Sequence, residues 1–293
     1  MFSKNQVFSQ VVAWSPILLA PTAAFFMTPE AWPRWVFMWV FAFAIYASCK
    51  WLTWWTTPAV DVSPWRHIGY LLFWPGLDAP TFLHSHGKAP DIGAWLFAVC
   101  KFVLGIALVG ATALLPREQE LLRGWVGMAG IAFVLHFGIF DLLSVAWRAG
   151  GVDARPLMHW PILATSVSEY WGQRWNAAFR DLTHRFLFRP LTPRLGAKGA
   201  LIAVFIFSGI VHDLVVSLPA QDGYGGPTIF FVIQAAAVFI ERTSFGQRLG
   251  LGSGWRGWAF ACCVLLGPAW LLFHSPFLRN VVLPFLDAIT FAQ

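Results

Sequence analysis

Two stretches hold the residues whose types and spacing could do chemistry. The first, Thr165 to Pro190 (TSVSEYWGQRWNAAFRDLTHRFLFRP), is the most polar segment of a very apolar chain. Ser166 and Glu169 make an S-x-x-E capping box, which starts a helix by satisfying orphan N–H groups. Pro190 is expected to end that helix. At helical spacing Glu169, Gln173, Asn176 and Arg180 share one face. Trp171, Trp175, Phe179, Leu182 and Phe186 fall on the adjoining apolar side, and Arg174, Arg180, Arg185 and Arg189 form a cationic rim. Arginine grips phosphate well, but basic residues beside tryptophan also anchor an ordinary interfacial helix at lipid headgroups. The second stretch is Ser208–Asp213, S-G-I-V-H-D, inside an apolar run. His212 is a natural general base near neutral pH, its ordinary pKa being about 6.5. Ser208 precedes it by one turn on the same face, while Asp213 points about 100° away. His136 and Asp141 sit likewise among apolar residues. Ionisable groups at membrane depth face a cavity or a partner, so these two either bond neighbouring helices or line a substrate pocket.

The elements that must position these residues are membrane helices. Of the 293 residues 58% are hydrophobic and 12% charged, with a mean hydropathy of +0.62. A soluble domain carries about 25% charged residues, so the chain is expected to be an all-α integral membrane protein. Spanning needs about 20 mostly apolar residues. Seven segments qualify: 10–28, 35–55, 92–115, 125–147, 199–219, 226–241 and 255–273. The first is interrupted by Pro16 and Pro21. The shorter apolar segments 68–75 and 277–291 suit interfacial or re-entrant helices, or an eighth span. The expectation is therefore a polytopic bundle of about 7–8 transmembrane helices with interfacial helices. With no internal repeat and no linker, 1–293 reads as one domain. The apolar amino-terminal run would pass for a signal peptide, but no small-x-small cleavage site stands out, so a retained first span is expected.

Charge orients the bundle. With seven spans and a cytoplasmic N-terminus, fifteen of the 20 Lys and Arg residues fall in inner segments and four in outer ones. The positive-inside rule then places the Glu169–Arg189 helix on the cytoplasmic face. The net charge of +6 speaks to topology and to anionic headgroups or substrates before nucleic acid. Cys49, Cys100, Cys262 and Cys263 all lie in apolar runs without a pairing or metal pattern. His84-x-His86 is a weak metal signal by itself, and no metal is expected.

The block E-Y-W-G-Q-R-W-N from Glu169 to Asn176, followed by S-G-x-x-H-D in an apolar helix, resembles the membrane-bound O-acyltransferase superfamily in its wax-synthase-like branch. In that family the aromatic-Trp-Gly-x-Arg-Trp-Asn block carries a functional Asn and S-G-x-x-H-E carries the catalytic His. The matching positions are Asn176 and His212. Asp213 stands where relatives usually have Glu, and Gln173 where many have Arg. Trp74-Pro75-Gly76-Leu77-Asp78 with Phe82 looks like an upstream block of bacterial relatives, and Leu272 to Asn280 looks like the family's C-terminal segment. The resemblance covers scattered blocks from about 70 to 290, with its core in 165–217. It is weakest over 1–60.

The resemblance implies transfer of an acyl group from acyl-CoA, as co-substrate without a bound cofactor, to the hydroxyl of a lipid or small-molecule alcohol. His212 would be the base. It lies thirteen residues past Gly199, so about 20 Å along its helix at ~1.5 Å per residue, where water is scarce. Asn176 would donate to the thioester carbonyl or orient a reacting group. Glu169, Trp171, Arg174, Trp175, Arg180, Ser208 and Asp213 are candidate substrate contacts, with His136 and Asp141 as a wall of the alcohol pocket. The expected partners are acyl-CoA, the alcohol and membrane lipids, and no nucleic acid. The expected location is a prokaryotic inner membrane. The same chemistry on a sterol, sugar or secondary-metabolite hydroxyl stays open. So does a non-catalytic lipid-binding or proton-coupled carrier, which the intramembrane His136, Asp141, His212 and Asp213 would suit.

Overall fold

The computed structural model describes residues 4–58 and 61–290. The extreme termini of the expected 1–293 domain, and residue 291 of its apolar tail, lie outside them. The chain is an all-α integral membrane protein, and among the described residues the regular structure outside the helical segments is one isolated bridge pair, His86 with Val152. The helices are α1 (Lys4–Met27), α2 (Arg34–Trp55), α3 (Pro64–Phe73), α4 (Ala79–His84), α5 (Ile92–Ala111), α6 (Glu120–Ala132), α7 (Phe140–Ala149), α8 (Val167–Glu169), α9 (Ala177–Thr183), α10 (Arg189–His212), α11 (Leu218–Ala220), α12 (Gly226–Arg242), α13 (Ser244–Leu249), α14 (Gly254–Leu266), α15 (Ala269–Leu272), α16 (Ser275–Phe277) and α17 (Leu283–Thr290).

Six helical runs among the described residues are long and apolar enough to cross a bilayer: Phe8–Met27, Arg34–Trp55, Ile92–Leu114, Glu120–Ala149, Ala177–Ala220 and Gly254–Leu272. The remaining expected span, α12, has 17 residues, at the short limit for crossing. The prolines do not interrupt α1. Pro16 has no N–H for the Val12 carbonyl one turn earlier, and the indole of Trp51 on α2 donates to it at 3.0 Å. A neighbouring helix therefore supplies the bond that proline removes.

Five turns of π-helix interrupt the described helices: Phe133–Ile139, Tyr170–Arg174, His184–Phe188, Asp213–Ser217 and Leu278–Val282. Such wide turns recur at functional sites. Here they hold His136, Trp171, Arg174 and Asp213. They also correct the expectation of one helix ended by Pro190. The chain leaves the helix at Trp175, which is extended, and at Asn176, which is left-handed. It resumes as α9, and the turn at 184–188 carries it into α10, where Pro190 takes a first-turn position that needs no N–H. Glu169 and Arg180 therefore do not lie on one helix face. The Arg180 guanidinium instead reaches back across the break to the Gly172 carbonyl at 3.1 Å.

The polar connections close over the same end of the bundle. Arg185 donates to the Thr56 carbonyl at the end of α2 at 2.9 Å, and Gly87 N–H donates to the Gly151 carbonyl at 3.1 Å. Tyr70, Trp74, Phe82, Leu83, Leu157 and Leu182 form a buried cluster between these connections and α9. Beneath it lies Lys50, a fully buried lysine whose ammonium donates to the carbonyls of Trp74 and Gly76 and sits 3.4 Å from the Tyr70 ring centre. It thus fixes the W-P-G-L-D block from below. His84 turns to the Pro58 carbonyl at 2.8 Å, and His86 to the bridge with Val152.

Candidate active site

The site begins at the capping box. The Ser166 hydroxyl accepts from Glu169 N–H at 2.9 Å, as expected, but the Glu169 carboxylate reaches Thr165, at 2.7 Å from its N–H and 2.9 Å from its hydroxyl. The remaining first-turn donors, Val167 and Ser168 N–H, are taken at 2.8 and 2.9 Å by Glu241, buried at the far end of α12. Nothing local in the sequence pairs residues 74 positions apart. The visible signal was an acid at the end of an otherwise apolar helix. Arg174 closes the first turn by donating to Glu169 at 2.7 Å and to the carbonyls of His159 and Trp160 at 3.2 Å. Burial works against the Glu169 charge, but the Thr165 and Arg174 bonds outweigh it and hold the carboxyl below its ordinary range.

Asn176 sits at the break with φ 46° and ψ 64°, a left-handed conformation in which asparagine is among the more tolerated side chains. Its Oδ1 accepts from Phe179 N–H at 3.1 Å and caps α9. Its own N–H meets the Met158 sulfur at 3.1 Å. The side-chain amide nitrogen makes no bond to any described residue, so two N–H donors remain for a ligand.

His212 ends α10. Its Nδ1 lies 2.7 Å from the Ser208 carbonyl. A carbonyl only accepts, so Nδ1 carries the proton and a neutral ring presents its lone pair at Nε2. Ser208 acts through this carbonyl, because its hydroxyl donates to Val204 O within α10 at 2.9 Å. The imidazole packs 4.7 Å from the ring of Phe231 on α12. The helices meet closely because residue 209 is glycine: a Cβ there would fall 2.5 Å from Thr228 Cα. Asp213 turns away from its neighbour. Its carboxylate takes the N–H of Gly225 at 2.8 Å, the N–H and hydroxyl of Thr228, and the Ser217 hydroxyl at 3.0 Å. It thereby anchors the start of α12.

An unbroken series of ring contacts joins the two halves of the site. His212 meets Phe231, which lies 5.3 Å from Trp171, and Trp171 lies 5.0 Å from Tyr170. Tyr170 stacks on Trp175 at 5.6 Å, and Trp175 stacks on His136 at 6.1 Å. The Trp171 indole is further held by Gln234 at 3.4 Å. Phe231, Gln234, Glu241 and Met158 carry no chemistry-bearing pattern in sequence, and packing alone reveals them. Asp141 stands apart from this series. It is ion-paired with Lys101 on α5, and neither its Oδ1 nor His136 Nδ1, both buried, has a hydrogen-bond partner among the described residues.

Two cavities lie beside the polar block, and neither Asn176 nor His212 lines them. The first, about 410 Å³, is lined by polar residues that include Asp78, Asp153, Arg155, Gln173, Arg180 and Asp181. The second, about 580 Å³, is walled by Phe97, Lys101, Phe133, Phe137, Asp141 and Trp160. Pro156 and His159 line both. Arg180, which also pairs with Asp181 at 2.7 Å, faces the first cavity, whereas Arg174 and Arg185 are held by protein carbonyls outside it.

Residues 154–233 match the model of the membrane bound O-acyl transferase family. The match takes in Asn176, His212 and every residue of the ring series except His136. The chain is 29% identical over 182 residues to a probable long-chain-alcohol O-fatty-acyltransferase 9 of Arabidopsis thaliana, covering 58% of this chain and 51% of that protein. It is 30% identical to the long-chain-alcohol O-fatty-acyltransferase of Simmondsia chinensis, over 38% of this chain and 36% of that one. It is 24% identical to an acyl-CoA–sterol O-acyltransferase 1 of Arabidopsis thaliana, over 46% and 41%. The chain spans about half the length of the curated relatives it matches.

Proposed function

We propose, from the match of residues 154–233 to the membrane bound O-acyl transferase family, that the chain transfers an acyl group from acyl-CoA to the hydroxyl of an alcohol. The observation that carries the reading is the imidazole of His212, locked by the Ser208 carbonyl with Nε2 as its basic nitrogen. The alcohol oxygen attacks the thioester carbonyl while His212 Nε2 takes its proton. The carbon–sulfur bond then breaks, and the imidazolium returns that proton to the departing thiolate. The free amide N–H groups of Asn176 stabilise the oxyanion formed between these steps. No bound cofactor takes part. Incubating the purified protein with a panel of acyl-CoAs and lipid extracts, and identifying new esters by mass spectrometry, tests the reading. Thioester left intact across the panel would overturn it.

A long-chain alcohol is the acceptor favoured by the names of the relatives in Arabidopsis and Simmondsia. A sterol hydroxyl is the second reading, favoured by the sterol-acylating relative. The apolar second cavity, with Asp141 in its wall, suits either acceptor.

The donor is assigned to the first cavity, where Arg180 and Arg155 offer cations to its phosphates. Arg180→Ala is expected to raise the KM for acyl-CoA about tenfold, as loss of a hydrogen bond to a charged group does. The acceptor KM should stay put, and the effect should shrink with added salt. An unchanged donor KM would remove Arg180 from the donor site.

The orientation follows the basic residues, with the N-terminus and the α9–α10 connection in the cytoplasm. The bacterial look of the Trp74–Asp78 block supports a prokaryotic inner membrane, while the relatives above are plant proteins. Arg194 and Lys198 are exposed on either side of the kink at Gly196 in α10. A cysteine placed at Arg194, in a background without the four native cysteines, should react with an impermeant maleimide only when the cytoplasmic face is open. Labelling in intact cells would reverse the orientation.

A further inference from the structure

The polar groups behind His212 form a line that the catalytic scheme does not use. Ser217 is fully buried at the end of the π-turn that follows His212. Its hydroxyl lies 3.0 Å from Asp213 Oδ1, 3.3 Å from the Gly223 carbonyl and 3.2 Å from His274 Nε2. His274, 8% exposed, belongs to a different part of the chain, the segment after α15. Its Nδ1 accepts from Phe277 N–H at 3.2 Å and caps α16. The ring packs so closely on the 222–228 turn that a Cβ at Gly223, itself at φ 71°, would lie within its van der Waals surface.

Donor and acceptor roles fix the direction of this line. Nδ1 of His274 accepts a backbone N–H, so it bears no proton, and the neutral ring carries its proton on Nε2. Nε2–H then donates to the Ser217 oxygen, whose single proton goes to the nearer and charged acceptor, Asp213 Oδ1 at 3.0 Å, ahead of the Gly223 carbonyl at 3.3 Å. Asp213 follows His212 directly and holds the N–H groups of Gly225 and Thr228. Those groups begin the helix that lays Phe231 on the His212 ring.

We propose that His274 is a positioning residue for His212, acting through the directed chain His274–Ser217–Asp213. The proposal rests on the acyl-transfer reading above. Burial lowers the affinity of His274 for a second proton, against the pull of Asp222 and Asp213, and so keeps Nδ1 free as the cap acceptor. By tying Asp213 to the segment after α15, the chain holds the end of α10 against α12 in one arrangement.

Two variants separate this role from simple support of the fold. His274→Asn keeps an acceptor suited to an N-cap but is too short to reach Ser217. Ser217→Ala cuts the chain from the other side. In the full-length protein in detergent each should lower kcat about 10- to 100-fold, as loss of a partner behind a functional ligand does. The KM for each substrate should be unchanged. The double variant should lose no more than either single one, because both cut the same line. Wild-type kcat in both singles, or losses that multiply in the double, would overturn the proposal. His212→Ala serves as the control for the reaction itself. Should the wild type transfer no acyl group, the acyl-transfer reading falls and the chain is judged by a second measurement. The 15N shifts of labelled histidine should show His274 as the Nε2–H form at neutral pH in the wild type, and should change in Ser217→Ala. A proton on Nδ1, or shifts indifferent to Ser217, would overturn the proposal without reference to turnover.

Discussion

His212→Ala is expected to lower ester formation by about 10²–10⁴-fold, the range typical of a lost general base, while the protein still inserts and purifies at normal abundance. The imidazole contributes one bond to the fold, to a carbonyl of its own helix, and packs against Phe231. Its removal therefore leaves no buried group from another element unpaired. In the proposed reaction its chemical contribution is larger. Without Nε2 the attacking hydroxyl must shed its proton unaided, in a helix end where little water replaces the base. His212→Gln is the sharper variant. A glutamine amide can donate to the Ser208 carbonyl but has no basic nitrogen, so it should be as inactive as alanine. Single-turnover rates with saturating acyl-CoA and alcohol make the comparison. Wild-type turnover in a folded His212→Ala protein would reduce the family match to a statement about scaffold. The same series includes His136→Ala, expected to cost far less, since His136 meets the site only through its stack on Trp175.

Asn176→Asp is expected to lower kcat by about 10²–10³-fold, the usual effect of removing one oxyanion donor, with little change in thermal stability. Asparagine here has two separable tasks. Oδ1 caps α9 through Phe179 N–H, and the amide N–H groups meet no acceptor among the described residues. Aspartate keeps the cap, tolerates the left-handed backbone, and replaces the donors with a second oxygen that would repel an oxyanion. Asn176→Ala mixes the two effects. It removes the cap, at about 1 kcal/mol, and puts a residue that disfavours φ 46° at the break. Asn176→Gly also loses cap and donors but relieves the backbone, so its difference from Asn176→Ala reports the cost of the left-handed conformation. Equal kcat in the wild type and Asn176→Asp, with protein of unchanged melting temperature, would leave Asn176 as a cap and nothing more.

Much of the molecule was legible in the chain. Apolar length alone located the crossing helices, because a bilayer core accepts only backbone that satisfies its own bonds. The capping box showed where the polar segment starts, since Ser166 and Glu169 sit within one turn of the bonds they make. The limits appear at Trp175 and Asn176. A sequence read at 3.6 residues per turn carries the helix straight through to Pro190. It gives no notice of the π-turns before and after the break, because these depend on which neighbours take the freed backbone groups. Arg180, for example, takes the Gly172 carbonyl.

Arg174 and Arg185 show the same boundary in the electrostatics. Both read as free cations on a helix rim. In the folded chain, carbonyls from the 159–160 segment and from the end of α2 hold them, whereas Arg180 lines the first cavity. Asp213, beside His212 in the sequence, turns from it to hold α12, and Ser208 serves through its backbone instead of its hydroxyl. Residue type and spacing by themselves determined that this is a helical membrane protein with an ionisable imidazole in an apolar helix near an asparagine-bearing polar block. Only the tertiary structure decided which nitrogen of that imidazole is basic, which donors of Asn176 are free, and that Glu241, Phe231 and His274 belong to the same assembly. Those are properties of hydrogen-bond partners and ring contacts that lie tens of residues apart, and no local period encodes them.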